Sequence, residues 1–168
     1  MKVLIAGLAS EKGFKLSQFL ASRGVEVCGL DNRPGVGGEK IEHREGIFNL
    51  NPRHRDSMWL MLEMMKPDVV IYCATYGEGQ RGDYVPFLNI LLSGIKRKIT
   101  KFVLVINENL PIDTPMTLRG VETFAMVSAI RVMAEEEKFE YIVISEKDNL
   151  LKEVKKFLLK EEQEGEVL

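Results

Sequence analysis

The chain has 168 residues, a length that suits one domain with a buried core, and 45% hydrophobic with 29% charged residues is the composition of an ordinary globular protein. A net charge of −2 excludes the strong basic excess that nucleic-acid binding needs, and no apolar run approaches the length of a membrane span. The two cysteines, Cys28 and Cys73, lie inside apolar runs without metal-site or disulfide spacing, so they are expected to be core residues in a reducing cytoplasm.

The first apolar run, residues 3–6, follows Met1-Lys2 and is too short for a secretory signal, so it is expected to be a strand. Further short, β-branched runs at residues 25–30, 69–74, 102–106 and 141–144 are nearly continuous in apolar character. That pattern predicts strands covered on both faces, as in a parallel sheet. A weaker run at residues 47–50 fits a strand nearer the edge.

Helices are predicted between the runs. Phe14, Leu16, Phe19 and Leu20 share one helical face that ends at Gly24, a C-terminal cap. Residues 57–65 carry four methionines, read as core filler, and stop before Pro67. Residues 85–95 and 121–134 are two more helices. The last helix places Leu150, Leu151, Val154, Phe157 and Leu158 on one side, and the acidic residues 161–168 form a frayed tail after a domain of residues 1–160. The basic group Lys96, Arg97, Lys98 and Lys101 is expected to be a solvated helix end.

Alternating strands and helices, joined by right-handed crossovers, predict a single Rossmann-type doubly wound α/β domain. Its six strands take the order 3-2-1-4-5-6, with helices on both faces. In such a fold the first strand-to-helix turn is where a dinucleotide binds. Here it reads Gly7-Leu8-Ala9-Ser10-Glu11-Lys12-Gly13, and Asp31 stands at the end of the second run, 18 residues past Gly13. An acid there accepts both hydroxyls of an adenosine ribose and repels a 2′-phosphate, whereas Arg33 is able to bind one.

Residues 1–32 resemble the start of the extended short-chain dehydrogenase/reductase family, the nucleotide-sugar epimerases and dehydratases. They align without a gap with that family's strand, Gly-x-x-Gly-x-x-Gly turn, helix, Arg-Gly, strand and Asp-Asn. Pro67-Asp68-Val69-Val70-Ile71-Tyr72-Cys73-Ala74-Thr75 is similar to the family's fourth strand, and the run from Lys101 to Asn107 to its fifth. The resemblance implies NAD or NADP as cofactor and a dinucleotide or nucleotide-sugar as ligand. It assigns cofactor contacts to Gly7, Ser10, Glu11, Lys12, Gly13, Asp31, Asn32, Arg33, Asn49, Ala74, Thr75 and Asn89.

The departures are specific. Ser10 replaces the middle glycine, and its Cβ takes space that a pyrophosphate would use. Glu11 sets a negative charge beside that site, with Lys12 next to it. The family's Tyr-x-x-x-Lys pair would fall near Leu118 or Arg119 and near Glu122 or Thr123, yet no tyrosine or lysine occurs from Phe102 through Glu137. The family's serine position holds Ile106, Asn107 or Glu108, so no catalytic residue is assigned. Family members also continue into a second domain that binds the nucleotide-sugar, and the sequence ends one helix after the sixth strand.

Other polar candidates are thin. His43 and His54 are expected to be surface residues, and no metal site is read. Glu108, Asp113 and Glu122 fall near the carboxyl ends of strands, and residues 76–83 form a charged, glycine-rich loop or lid. The leading expectation is a cytoplasmic NAD(P)-binding-fold protein that has lost the family's redox chemistry and serves as a binding or regulatory subunit. It would be a homo-oligomer or the partner of another chain, with no nucleic-acid or membrane partner. The alternatives are an active epimerase or dehydratase with unorthodox residues, and a scaffold that binds no nucleotide.

Overall fold

The computed structural model describes residues 1–31, 47–48, 50–73, 84–106, 118–145 and 149–159. Six strands alternate with five helices in the order β1 (Lys2–Ala6), α1 (Glu11–Ala21), β2 (Glu26–Leu30), β3 (Ile47–Phe48), α2 (Arg55–Met65), β4 (Val69–Cys73), α3 (Tyr84–Lys96), β5 (Lys101–Ile106), α4 (Leu118–Glu137), β6 (Glu140–Ser145) and α5 (Leu150–Leu158). All strand pairs are parallel, and the sheet order is β3-β2-β1-β4-β5-β6, as the strand–helix alternation predicts.

The central strands β1, β4 and β5 are buried apart from the leading lysines of β1 and β5, because alternate side chains meet different layers of helices. Leu4, Cys28, Leu30, Val70, Tyr72, Phe102 and Leu104 face one layer, packing with Met58, Met61 and Leu62 of α2, Phe87 and Ile90 of α3, and Met126 and Ile130 of α4. Val3, Ile5, Val69, Ile71, Val103 and Val105 face the other, with Leu16 and Leu20 of α1 and Val154 and Leu158 of α5. Met58 and Met61 are therefore core filler as expected, while Met64 points outward. Phe87 is the hub of the first layer, meeting Tyr72 and Phe102 edge-on at centroid distances of 5.5 and 5.9 Å.

The helix ends follow local chemistry. Gly24, at φ +72°, closes α1: its N–H donates to Ala21, and the Val25 N–H reaches back to Leu20. These are the two bonds of a Schellman cap. Of the basic group after α3, Lys96 and Lys98 are exposed at the helix end as expected, whereas Arg97 and Lys101 are half-buried and engaged. Arg97 pairs with Glu63 and stacks on the Trp59 ring. Lys101 donates to the Phe157 carbonyl at 2.7 Å and so holds the end of α5. Both partners lie far off in sequence, which is why a run of like charges gave no sign of them.

Candidate functional site

The candidate site is the β1–α1 turn at the carboxyl end of the sheet, the end where doubly wound folds bind ligands. Gly7 leaves β1 at φ +88°, a left-handed conformation that glycine takes without strain. Its N–H donates to the Leu30 carbonyl at 2.9 Å, tying the turn to the end of β2. Leu8 then folds down onto β2, and a Cβ at Gly29 would lie 2.2 Å from the Leu8 side chain. Gly13 lets α1 approach just as closely, since a Cβ there would lie 2.3 Å from the Gly7 carbonyl oxygen and 2.9 Å from the Leu8 Cα. The first glycine thus supplies a left-handed backbone and the last a close approach of α1 to the turn.

The middle position behaves differently. Ser10 is the N-cap of α1, its backbone extended at φ −73° and ψ 152°. Its hydroxyl donates to the Gly7 carbonyl at 2.6 Å and accepts from the Gly13 N–H at 3.0 Å. Glu11, exposed in the first turn, bonds Lys15 at 2.5 Å. That hydrogen bond holds its carboxyl below the usual carboxylate range, so the charge beside the turn persists. Lys12 is half-buried next to it.

Asp31 is brought to the turn from two directions. Its N–H donates to the Phe48 carbonyl of β3 at 3.2 Å, and its Oδ2 accepts from the Ala9 N–H at 2.8 Å. The acid and the turn, read from the sequence as parts of one dinucleotide site, are joined by a direct hydrogen bond. Neither this bond nor the Ser10 cap was anticipated, although a serine directly before an acidic first helical residue is itself a cap signal.

Asn89 is fastened elsewhere: its side-chain nitrogen donates to the carbonyls of Pro52 and Arg53, both at 3.0 Å, and secures the approach to α2. Asn32, Arg33, Asn49, Ala74 and Thr75 lie outside the described residues, as do His43, Glu108, Asp113 and the loop of residues 76–83. The places where the resemblance would put a Tyr-x-x-x-Lys pair fall at the start of α4, where Glu122 is half-buried and Thr123 is buried. His54 is exposed at the head of α2 and makes no side-chain cap bond. Among the described residues no group of His, Cys, Asp or Glu is placed to hold a metal ion, and no helix is long and apolar enough to cross a membrane.

Solved structures share this architecture. The UDP-glucose 4-epimerase of Thermus thermophilus, solved with NAD, superposes with a TM-score of 0.72 at 19% identity, covering 85% of this chain and 54% of its own. The Thermotoga maritima UDP-glucose 4-epimerase, solved with UDP-glucose, gives 0.70 at 18% identity, with 85% and 54% covered. The UDP-Glc/GlcNAc 4-epimerase of Campylobacter jejuni gives 0.72 at 17% identity, with 86% and 52% covered. No family model matches the sequence, and no curated protein matches it either. The class defined is thus a Rossmann-type domain with the fold of these epimerases. This chain spans about half the length of the proteins that share it.

Proposed function

We propose that the chain binds an adenine dinucleotide, NAD or NADP, over the β1–α1 turn, and that it acts as a binding or regulatory subunit without the redox chemistry of the epimerases. The observation that carries this reading is the union of Asp31 with the turn through the Ala9 N–H at 2.8 Å. It puts a carboxylate, which has about four lone-pair sites, beside the backbone where an adenosine ribose would lie. Fold neighbours solved with NAD or UDP-glucose support the ligand class. The absence of tyrosine and lysine from Phe102 through Glu137 supports the loss of proton transfer.

The subunit role draws on α4. Its inner side buries Thr123, Met126, Ile130 and Ala134, while Val121, Phe124 and Val132 stand in solvent. Phe124 is 62% exposed, an unusual position for a phenylalanine that no other chain covers.

Calorimetric titration with NAD and NADP tests the reading. Asp31→Ala should weaken binding by about tenfold or more, the loss of a charged hydrogen-bond acceptor. No heat at millimolar nucleotide would rule binding out, and a preference for NADP would move the decisive role to Arg33. Turnover of UDP-sugars that survives repurification and disappears on Glu122→Gln would instead establish an unorthodox enzyme.

A further inference from the structure

The two edges of the sheet are built differently. A strand edge presents a row of backbone N–H and C=O groups to any other strand, and proteins blunt such edges with short strands, prolines, bulges or charged side chains. At one edge β3 is two residues long. At the other, β6 runs six residues and pairs with β5 in an unbroken register from Lys101↔Glu140 to Ile106↔Ser145, with no proline and no bulge. Its one charged residue is the first, Glu140, and that carboxylate reaches sideways to Lys101 of β5 at 3.5 Å.

The direction of the edge groups follows from one bond. The Glu140 N–H donates to the Thr100 carbonyl at 3.0 Å. Along a parallel strand alternate residues turn to the same neighbour, so Ile142 and Ile144 also face β5. The N–H and C=O groups of Tyr141 and Val143 therefore point outward, and among the described residues no strand lies on that side. Tyr141 and Val143 lean on the layer that holds α4, and Ile142 and Ile144 on the layer that holds α5. Tyr141, Ile142 and Val143 are each only half-buried.

We propose that β6 is a pairing edge whose occupant is β6 of a second copy of this chain, laid antiparallel across a two-fold axis so that the two sheets join into one. The edge itself sets the kind of occupant, because an extended strand answers its alternating donors and acceptors. A second copy fits because the strand is self-complementary. With the axis at Ile142, Tyr141 exchanges both backbone bonds with the partner's Val143, and Val143 with the partner's Tyr141. On one face each tyrosine ring then lies beside a valine, and on the other Ile142 meets the partner's Ile142, which are pairings that stabilise sheets. The same register sends the two Glu140 carboxylates to opposite ends of the ladder, so no like charges meet there. This pairing is independent of nucleotide binding and gives the subunit reading a partner.

Sedimentation velocity of the full chain over a concentration series should show a monomer–dimer equilibrium. Val143→Pro removes an outward N–H and leaves the bonds to β5 in place, the position at which an edge strand tolerates proline. The dimer should weaken by about tenfold or more, since the two-fold axis removes that bond twice. Ile142→Cys tests the register. Residues opposed in a non-hydrogen-bonded antiparallel pair have Cα atoms about 4.5 Å apart, within reach of a disulfide. Mild oxidation should therefore link Ile142→Cys into a covalent dimer. Tyr141→Cys, whose counterpart is the partner's Val143, should stay unlinked because its own copy lies beyond disulfide reach. If Val143→Pro fails to fold, the cross-linking decides. A chain that stays monomeric at millimolar concentration, a dimer that folded Val143→Pro leaves intact, or a disulfide at Tyr141→Cys and not at Ile142→Cys overturns the inference. The nucleotide reading stands or falls separately, on its own titration with NAD and NADP.

Discussion

The β1–α1 turn and the start of α4 both belong to the carboxyl end of the sheet, and they are built in opposite ways. In the turn, Gly7, Ala9, Ser10, Gly13 and Asp31 bond to one another or to the neighbouring strand. On the outward side of α4, Val121 and Phe124 meet solvent. The first region is closed by hydrogen bonds within its own chain, and the second leaves apolar side chains in solvent. Each region also departs from the family pattern that the sequence resembles: Ser10 stands at the turn's middle glycine position, and neither tyrosine nor lysine occurs from Phe102 through Glu137. The turn keeps its first and last glycines and the acid, and a capping serine occupies the position between them.

The largest effect is expected at the turn's packing contact. A Cβ on Gly13 would lie 2.3 Å from the Gly7 carbonyl oxygen, and backbone on both sides leaves little room to yield. Gly13→Ala should cost about 3 kcal/mol, lowering the melting temperature by roughly 10 °C. A variant that melts with the unmodified chain would show the turn to be far looser than its hydrogen bonds indicate.

A smaller effect sits beneath the turn, in the pairing of β1 with β2. Cys28 Sγ lies 3.3 Å from the Val3 carbonyl and donates to it, and burial pushes the thiol from its ordinary 9.0 up to about 11. The folded state therefore holds this proton more tightly than the unfolded state does. The corresponding stability is complete below about pH 9 and is lost as pH rises through 11, amounting to about 2–3 kcal/mol. Urea midpoints measured against pH should fall across that window, and Cys28→Ala should flatten the fall. An unchanged slope in the variant would assign the alkaline loss to other groups.

The smallest effect is expected on α4. Phe124 is 62% exposed, so Phe124→Ser should change the stability of the isolated chain by no more than about 0.5 kcal/mol. A loss well beyond that, growing with protein concentration, would mean that the stripe is covered by a second copy, because association stabilises by mass action.

Much of the fold was legible because β-branched runs and helical periodicities are local signals. The strand order, the two helix layers and the buried methionines of α2 all follow from them. The site was legible in outline only. Its turn and acid could be placed, but the bond between Ala9 and Asp31 spans 22 residues and left no local trace. Likewise Asn89 fastens carbonyls 36 and 37 residues away, and Lys101 a carbonyl 56 away. Ser10 misled for another reason: set against a glycine motif it reads as a defect, whereas set against helix chemistry it reads as a cap.

The most direct test of nucleotide binding at this turn is a two-dimensional amide NMR titration of the chain with NAD. The largest shifts should fall on Gly7, Ala9, Ser10, Gly13 and Asp31, with the Val121 and Phe124 amides of α4 unmoved. Shifts centred on α4, or none anywhere at millimolar NAD, would contradict it.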